Sequence, residues 1–180
     1  ASLAQKRKDA VVMGMTLEPT GGMDPTATAA SATAEIVHYN IFETLTKINS
    51  DGSVTPLLAE SWEVSPDLKT YTFKLRKGVK FQNGEPFNAS TVKFAFERAA
   101  GEKSTNKDKR TFAAMERVGV VDEHTVVVIN KELNPDFLFL MGQATAVMVE
   151  PKSVDSNATK PVGTGPYRLE SWNKGASVTL

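Results

Sequence analysis

The stretch that most constrains the fold is WEVSPDLKTYTFKLRKGVKF, at residues 62–81. Beyond a turn at Pro66-Asp67, the apolar residues Tyr71, Phe73 and Leu75 alternate with polar ones. A period of two places alternate side chains on opposite faces of a strand. The stretch therefore predicts an antiparallel hairpin with one buried face and one face in water.

Turn and cap residues divide the neighbouring sequence. Asp51-Gly52 and Asn83-Gly84 are typical of tight turns. After the second turn, either Asn88 or Ser90 is suited to cap a helix, because both side chains can accept a hydrogen bond from a free backbone N–H. A polar, loop-like segment follows at 101–110.

The rest of the chain mixes strand and helix patterns, which predicts the α/β fold class with mixed α+β sheets. No internal repeat of 20 to 50 residues is present. The remaining predicted elements are a buried strand at 9–16, a helix of about four turns at 27–45, helices at 91–100, 112–118 and 134–142, and strands at 118–122, 125–131, 146–151, 167–172 and 177–180.

Charge and composition exclude several classes of function. Lys and Arg number 21 and so do Asp and Glu, so the usual electrostatic basis for binding nucleic acid or an anionic membrane is missing. There is no cysteine, which excludes thiol chemistry and disulfides. No apolar run is long enough to span a bilayer, and the first ten residues lack the apolar centre of a signal peptide. An exported protein would be present here in its mature form.

The sequence offers no evident catalytic, metal or cofactor site. His38 lies among apolar helix residues and His124 lies in a tight turn, so both are interpreted as structural. Neither belongs to a metal-binding motif such as His-x-x-x-His. Isolated carboxylates cannot be paired from sequence alone, so carboxylate chemistry remains open but unsupported.

The segment PVGTGPYRLESW, at 161–172, raises the question of a phosphate-binding loop. Such a loop needs free backbone N–H groups, a lysine, and a helix that follows. Here Pro166 removes a donor, no lysine follows directly, and the next residues have a strand pattern. We interpret Gly163 and Gly165 instead as residues that let the backbone turn sharply as it re-enters a sheet.

This segment also belongs to an ordered set of motifs that resembles one protein family. The chain is similar to the solute-binding proteins of peptide-type ABC importers, whose members take dipeptides, oligopeptides, glutathione, nickel complexes and opines. The resemblance runs from the first predicted strand to Leu180. Its elements are MDP (23–25), HYNIFETLTKINSDGSVTPLLAESW (38–62), TYTFKLRKGVKFQNGEPFNAS (70–90), VVDEHTVVVINK (120–131) and GTGPY (163–167).

The resemblance implies a periplasmic-binding-protein-like fold of two lobes that close over a ligand. It also implies that this chain is well under half of a full member and holds most of the first lobe. Residues 1–45 would begin the main subdomain, 46–160 would form the additional subdomain, and 161–180 would return to the main subdomain. The second lobe would be absent.

The resemblance further implies which stretches face the ligand cleft. These are the loop after the first strand, the segment around Arg110–Phe112, and the approach to ATAVMVEP at Ala144–Val147. Glu18 would pair with a ligand amine and Arg110 with a carboxylate, through charge-assisted hydrogen bonds. The absence of arginine at 144–147 disfavours the nickel-chelate branch. The predicted ligand-binding residues are Leu17, Glu18, Pro19, Thr20, Met23, Arg110, Thr111, Phe112, Thr145 and Ala146.

The resemblance implies a non-enzymatic function. The expected protein is periplasmic, or extracellular and membrane-anchored, and it delivers a peptide or peptide-like solute to the membrane permease of an ABC importer. It would approach the membrane only through that permease, bind no nucleic acid, and need neither a cofactor nor a metal. Two alternatives stay open: a chaperone-like binder of unfolded chains, and a carboxylate-based enzyme on the same scaffold.

Overall fold

The computed structural model describes residues 9–180, and a four-stranded antiparallel sheet lies at its centre. Two shorter antiparallel hairpins and a set of short helices surround this sheet. The strands are β1 (Thr46–Ile48), β2 (Val54–Pro56), β3 (Ala59–Val64), β4 (Thr70–Leu75), β5 (Met115–Asp122), β6 (Thr125–Asn130), β7 (Ser171–Asn173) and β8 (Ser177–Thr179). The helices are α1 (Ser31–Val37), α2 (Ala89–Ala100), α3 (Lys109–Ala113) and α4 (Phe137–Leu140), with single 3₁₀ turns at Ala144–Ala146 and Val154–Ser156.

The central sheet has the strand order β3-β4-β6-β5, and it confirms the predicted hairpin. Trp62 pairs with Phe73 and Val64 pairs with Tyr71, so the apolar residues of both strands share one face. Tyr71 and Phe73 are buried, and both pack against Phe137 of α4, with ring centroids 4.5 and 6.4 Å apart. The hairpin of β5 and β6, joined at 122–124, was also predicted correctly.

Helix α2 covers the other strands of this sheet, β5 and β6. It begins after Asn88, whose Oδ1 accepts hydrogen bonds from the backbone N–H groups of Ser90 and Thr91. The Thr91 hydroxyl in turn accepts a bond from the Asn88 N–H, which completes a reciprocal cap. Of the two predicted caps, the structure uses Asn88.

The two predicted turns adopt the backbone that their glycines permit. Gly52 has φ +84° between β1 and β2, and Gly84 has φ +89° in the turn that precedes α2. A residue with a Cβ is strained in this left-handed region. Both turn predictions are confirmed.

The predicted strand at 9–16 is wrong. These residues form no strand, and Val11 and Val12 are each 88% exposed. A strand needs a neighbour for its backbone hydrogen bonds, and none of the sheets formed within 9–180 includes this segment. The apolar residues of this segment predicted that it would be buried, and in the structure the segment is exposed.

The predicted helix at 27–45 is too long, because only Ser31–Val37 is helical. Tyr39 has φ +62°, and its N–H donates to the carbonyl of Phe42. This sharp turn replaces the continuing helix and brings Ile41 and Phe42, both fully buried, into the core. Tertiary burial here overrides the helical period.

Three further boundaries differ from the predictions. Residues 146–150 are buried and Pro151 is exposed, and the segment forms no strand. The Met148 N–H bonds the Glu43 carbonyl in irregular backbone instead. The helix predicted at 112–118 corresponds to α3, which begins earlier, at Lys109. It ends at Ala113, because Met115 already pairs with Asn130 in the sheet. The strand predicted at 167–172 is shorter and shifted, at β7.

Candidate functional site

The first predicted binding segment is an irregular loop between residues 17 and 23. Leu17 is 62% exposed, and Thr20 is also exposed. Glu18 is engaged within the fold, since its Oε1 accepts the backbone N–H of Gly175 at 2.7 Å. Pro19 and Met23 are buried, and the Met23 N–H donates to the carbonyl of Ala158. The exposed side chains of this loop are therefore those of Leu17, Glu18 and Thr20.

The second predicted segment lies on the short helix α3. Arg110 is exposed, and within residues 9–180 its guanidinium makes no hydrogen bond or ion pair. Thr111 is half-buried. Phe112 is 2% exposed and packs against Phe96 of α2, with ring centroids 5.6 Å apart. Phe112 thus anchors α3, while Arg110 points its charge toward solvent.

The third predicted segment, the turn at Ala144–Ala146, is tied to the start of α3. The hydroxyl of Thr145 donates to Asp108 Oδ2 at 2.7 Å, and the Thr145 carbonyl accepts Asn106 Nδ2 at 3.0 Å. Thr145 and Ala146 are 3% and 2% exposed, so both side chains are occupied by the protein itself. The structure brings the second and third segments together.

The first loop joins the same region through residues that sequence reasoning missed. Asp24 Oδ1 accepts both the N–H (2.9 Å) and the hydroxyl (2.6 Å) of Thr26. Arg98, near the end of α2, donates to the Thr26 hydroxyl at 2.8 Å and lies 3.6 Å from Asp24 Oδ2. The hydroxyl of Thr105 bonds the Ala27 carbonyl at 3.1 Å. The MDP motif drew attention to Asp24 within the family pattern, but no local signal linked it to Arg98.

We call these polar residues the loop-anchoring cluster: Asp24, Thr26, Arg98, Thr105, Asn106, Asp108 and Thr145. The cluster connects the loop after residue 23, the segment that joins α2 to α3, and the turn at Ala144–Ala146. The three stretches predicted to face a ligand therefore adjoin one hydrogen-bonded region. Whether the ten predicted residues contact a ligand stays a prediction.

The glycine-rich segment has a structural role. A Cβ on Gly163 would lie 2.0 Å from the carbonyl oxygen of Ile41, and one on Gly165 would lie 2.3 Å from that of Asn40. Gln82 Nε2 donates to the Gly165 carbonyl at 3.0 Å, and the Gly165 N–H donates to the Ile41 carbonyl. The backbone groups of this segment bond the protein, as expected for a close backbone crossing and not for an anion cradle.

Burial shifts the pKa of two side chains near this crossing. It lowers the pKa of His38 to about 4, only partly offset by a hydrogen bond with the Gly142 backbone. His38 Nε2 is buried without a partner and the ring stacks on Tyr39, so the imidazole is neutral at neutral pH. Burial also raises the pKa of Glu43, partly offset by the Thr164 hydroxyl, which donates to it at 2.7 Å, and by Arg76.

Two open grooves lie away from most of the predicted residues. One, of about 540 Å³, is bordered by 82–83, 159–162 and 168–172; the other, of about 390 Å³, lies between α2 and β5. No group of three or more His, Asp or Glu side chains within 9–180 is arranged to hold a metal ion. Within the same residues, no helix is both long and apolar enough to cross a bilayer.

Comparison with known proteins places the chain in a family. The profile of "Bacterial extracellular solute-binding proteins, family 5 Middle" matches residues 53–180. The chain belongs to this family of bacterial extracellular solute-binding proteins. The predicted resemblance is thereby confirmed.

Among its curated relatives is the glutathione-binding protein GsiB of Salmonella typhimurium. The two are 33% identical over 172 residues, which make up 93% of this chain and 33% of that protein. GsiB of Escherichia coli is 31% identical over 179 residues. The chain thus spans about a third of the length of these relatives.

A solved structure of the same fold confirms the predicted fold class. AgaA from A. tumefaciens R10, in complex with agropinic acid, superimposes with a TM-score of 0.78 at 27% identity, over 87% of this chain and 32% of that one. It is described as a periplasmic binding protein. Mixed helices and sheets within a periplasmic-binding-protein fold were predicted, and both are found.

Proposed function

We propose that the protein to which these residues belong is the solute-binding component of an ABC import system. It captures a peptide or peptide-like small molecule between two lobes and delivers it to a membrane permease. Of the span 1–45 assigned to the main subdomain of the first lobe, residues 1–8 lie outside the described residues; 9–45 and 161–180 contribute to that subdomain, and 46–160 form its additional subdomain. The further length that relatives have would supply the second lobe. The protein works in the periplasm, or outside the cell on a membrane anchor.

The observation that carries this proposal is the convergence of the predicted cleft segments on the loop-anchoring cluster. Loops held on a rigid scaffold are where binding residues concentrate. The relatives include a protein that binds glutathione and one that binds the opine agropinic acid. Both ligands are small polar solutes with amine or carboxylate groups. A site for such solutes needs charged side chains at its surface, and the first and second predicted segments present Glu18 and Arg110, both exposed.

Each of these two residues has a proposed partner on the solute. Glu18 engages the Gly175 N–H through Oε1, and its carboxylate retains Oε2 as an acceptor for a ligand amine. Arg110 carries a planar set of donors that matches a ligand carboxylate. The buried residues Met23, Phe112, Thr145 and Ala146 would support the site through packing and backbone groups.

The test is solute binding by the full-length protein. Calorimetry would use glutathione, dialanine, trialanine, mannopinic acid and a nickel–histidine complex, and native mass spectrometry would detect any co-purified solute. We expect one peptide-like member to bind, and Glu18→Gln or Arg110→Met to weaken that binding about tenfold. Glu35→Gln and Lys103→Met, which change exposed charges elsewhere, are the matched controls.

The outcomes separate the proposal from its alternatives. Binding of none of the solutes, with no co-purified molecule, would overturn it. Suppressed aggregation of an unfolded test protein without any small ligand would instead favour a chaperone-like binder. Turnover of a panel member would favour an enzyme. Loss of binding in the controls as large as in the variants would contradict the assigned roles of Glu18 and Arg110.

A further inference from the structure

The loop that carries the predicted ligand contacts has little regular structure of its own. Between residues 17 and 30 the backbone forms neither helix nor strand. Backbone bonds within the loop run from Thr20 N–H to the Glu18 carbonyl, from Gly22 N–H to the Pro19 carbonyl and from Ala27 N–H to the Asp24 carbonyl. These bonds shape the loop locally, whereas its position relative to helix α2 depends on contacts with the rest of the molecule.

Arg98 makes a charged contact with this loop from helix α2. Its guanidinium reaches back over 72 residues of sequence from helix α2 and donates to the Thr26 hydroxyl. Thr26 passes the interaction on, because the same hydroxyl donates to Asp24 Oδ1. Asp24 and Thr26 are 3% and 6% exposed, so this network is buried at its acceptor end.

Burying the Asp24 carboxylate costs free energy of desolvation, and an apolar pair in place of Asp24 and Arg98 would often be as stable. An ionic network is therefore better explained by the geometry that it imposes than by stability alone. Arg98 Nη1 donates a hydrogen bond to Thr26, and Nη2 lies within ion-pair distance of Asp24 Oδ2, so contacts at two nitrogens orient the loop.

The same helix end also connects to the other predicted segments. Beyond α2, Thr105 holds the Ala27 carbonyl, and Asn106 and Asp108 hold Thr145. A shift of the Arg98 contact would thus move the loop relative to α3 and the turn at Ala144–Ala146. We propose that Arg98, acting through Thr26 and Asp24, is a positioning residue that sets the first ligand loop against the other two segments. This inference rests on the proposed function.

The experiment is hydrogen exchange measured by mass spectrometry on the full-length protein, without ligand, for Arg98→Met and Arg98→Lys. Arg98→Met keeps the apolar stem and removes the charge, whereas Arg98→Lys keeps the charge but loses the two-nitrogen geometry. We expect peptides covering 17–28 to exchange about tenfold faster in Arg98→Met and to a smaller extent in Arg98→Lys. The strand peptide 70–75 keeps its wild-type exchange. Lys93→Met, on the same helix and paired only with Glu97 at its surface, is the control.

Binding of glutathione and trialanine by calorimetry is the second arm. If the wild type binds one of these probes, Arg98→Met is expected to weaken that binding about tenfold. Asp24→Asn is expected to do the same, and the double variant to be no weaker than either single one, since both changes break one network.

Two results would overturn the positioning role: exchange in 17–28 that does not change in Arg98→Met, or faster exchange spread evenly over the whole protein. The latter would mean that Arg98 only stabilises the fold. If exchange in Arg98→Met accelerates only in 17–28 while the wild-type protein binds neither probe, the positioning role is supported. The missing binding would then count against the proposed function alone.

Discussion

At the scale of single residues, the structure explains the glycine-rich segment by the space available to it. Gly163 and Gly165 lie where the chain passes the carbonyls of Ile41 and Asn40 too closely for any side chain. Neither has a positive φ, so the requirement is for space and not for backbone conformation. A Cβ at this crossing would force the two backbones apart.

We therefore expect Gly163→Ala to lower the free energy of unfolding by about 3 kcal/mol, because the new Cβ would overlap the Ile41 carbonyl and overpack the site. Urea unfolding followed by circular dichroism measures this. Gly14→Ala is the control, since a Cβ there meets no atom of residues 9–180 within 4 Å. Equal stability of the two variants would show that the crossing relaxes without cost.

His38 gives the fold a predicted pH dependence. Its pKa is about 4 in the folded protein, below the unfolded value of 6.5, because burial disfavours the charged form. The unfolded chain binds the proton more readily, so this stabilisation is complete above pH 6.5 and is lost as the pH falls toward 4. The loss is at most about 3 kcal/mol.

Unfolding midpoints of the wild type and of His38→Gln, compared between pH 7 and pH 4.5, measure this effect. The wild type is expected to lose more stability than the variant over this range. His124→Asn, in the turn between β5 and β6, is the control and should lose as much as the wild type. A His38→Gln variant with the wild-type pH dependence would refute the assignment.

At the scale of elements, local sequence signals were most reliable where one short motif was sufficient. The cap of α2 is such a case, because the Asn88 side chain and Thr91 satisfy each other's backbone groups within four residues. Helix α1 is the opposite case. Its first residue is preceded by Ala30, which offers no side-chain cap, and a turn at Tyr39 stops it.

Asn88→Ala is expected to reduce the free energy of unfolding by about 1 kcal/mol, because two backbone N–H groups of α2 lose their acceptor. Ser90→Ala, two residues on and exposed, should stay within about 0.5 kcal/mol of the wild type. Thermal unfolding of both variants measures the difference. A larger cost for Ser90→Ala would mean that the cap was assigned to the wrong residue.

At the scale of the whole molecule, the exposed apolar segment is the main departure from an ordinary surface. Val11, Val12 and Met13 are each more than 75% exposed, and Met15 and Leu17 are also exposed. Contiguous apolar surface of this kind marks an interface or a tendency to aggregate.

The 180-residue chain alone is therefore expected to self-associate at roughly 100 µM, as measured by light scattering after size-exclusion chromatography. Val12→Lys should reduce the association, because it places a charge within the apolar run. Thr55→Lys, on the exposed side of β2, is the control and should not. A monomeric wild type under these conditions would contradict the expectation.

The hairpin of β3 and β4, the hairpin of β5 and β6 and both glycine turns could be predicted, because each depends on residues that are close together in the sequence. The strand at 9–16 and the length of α1 could not. Their apolar residues indicate burial, but the partner that decides between strand, helix and loop lies elsewhere in the chain.

For the candidate site, the sequence placed the three segments by family resemblance and proposed Glu18 and Arg110 from the charge that a peptide needs. It missed Asp24 and Arg98, whose contact bridges residues 74 positions apart. It also gave no sign that Phe112 and Thr145 have their side chains buried. Burial and long-range polar contacts follow from how elements pack, which one sequence does not show.

By itself, then, the sequence determined the family, the alternating hairpins, the tight turns and the absence of any cysteine chemistry. These follow from residue type and short spacing, where backbone sterics and side-chain alternation act directly. The tertiary structure decided the close crossing of Gly163 over Ile41, the end of α1, and the network of Asp24, Thr26 and Arg98. These depend on which distant segments come into contact, and a long-range contact is fixed only when the whole core is packed.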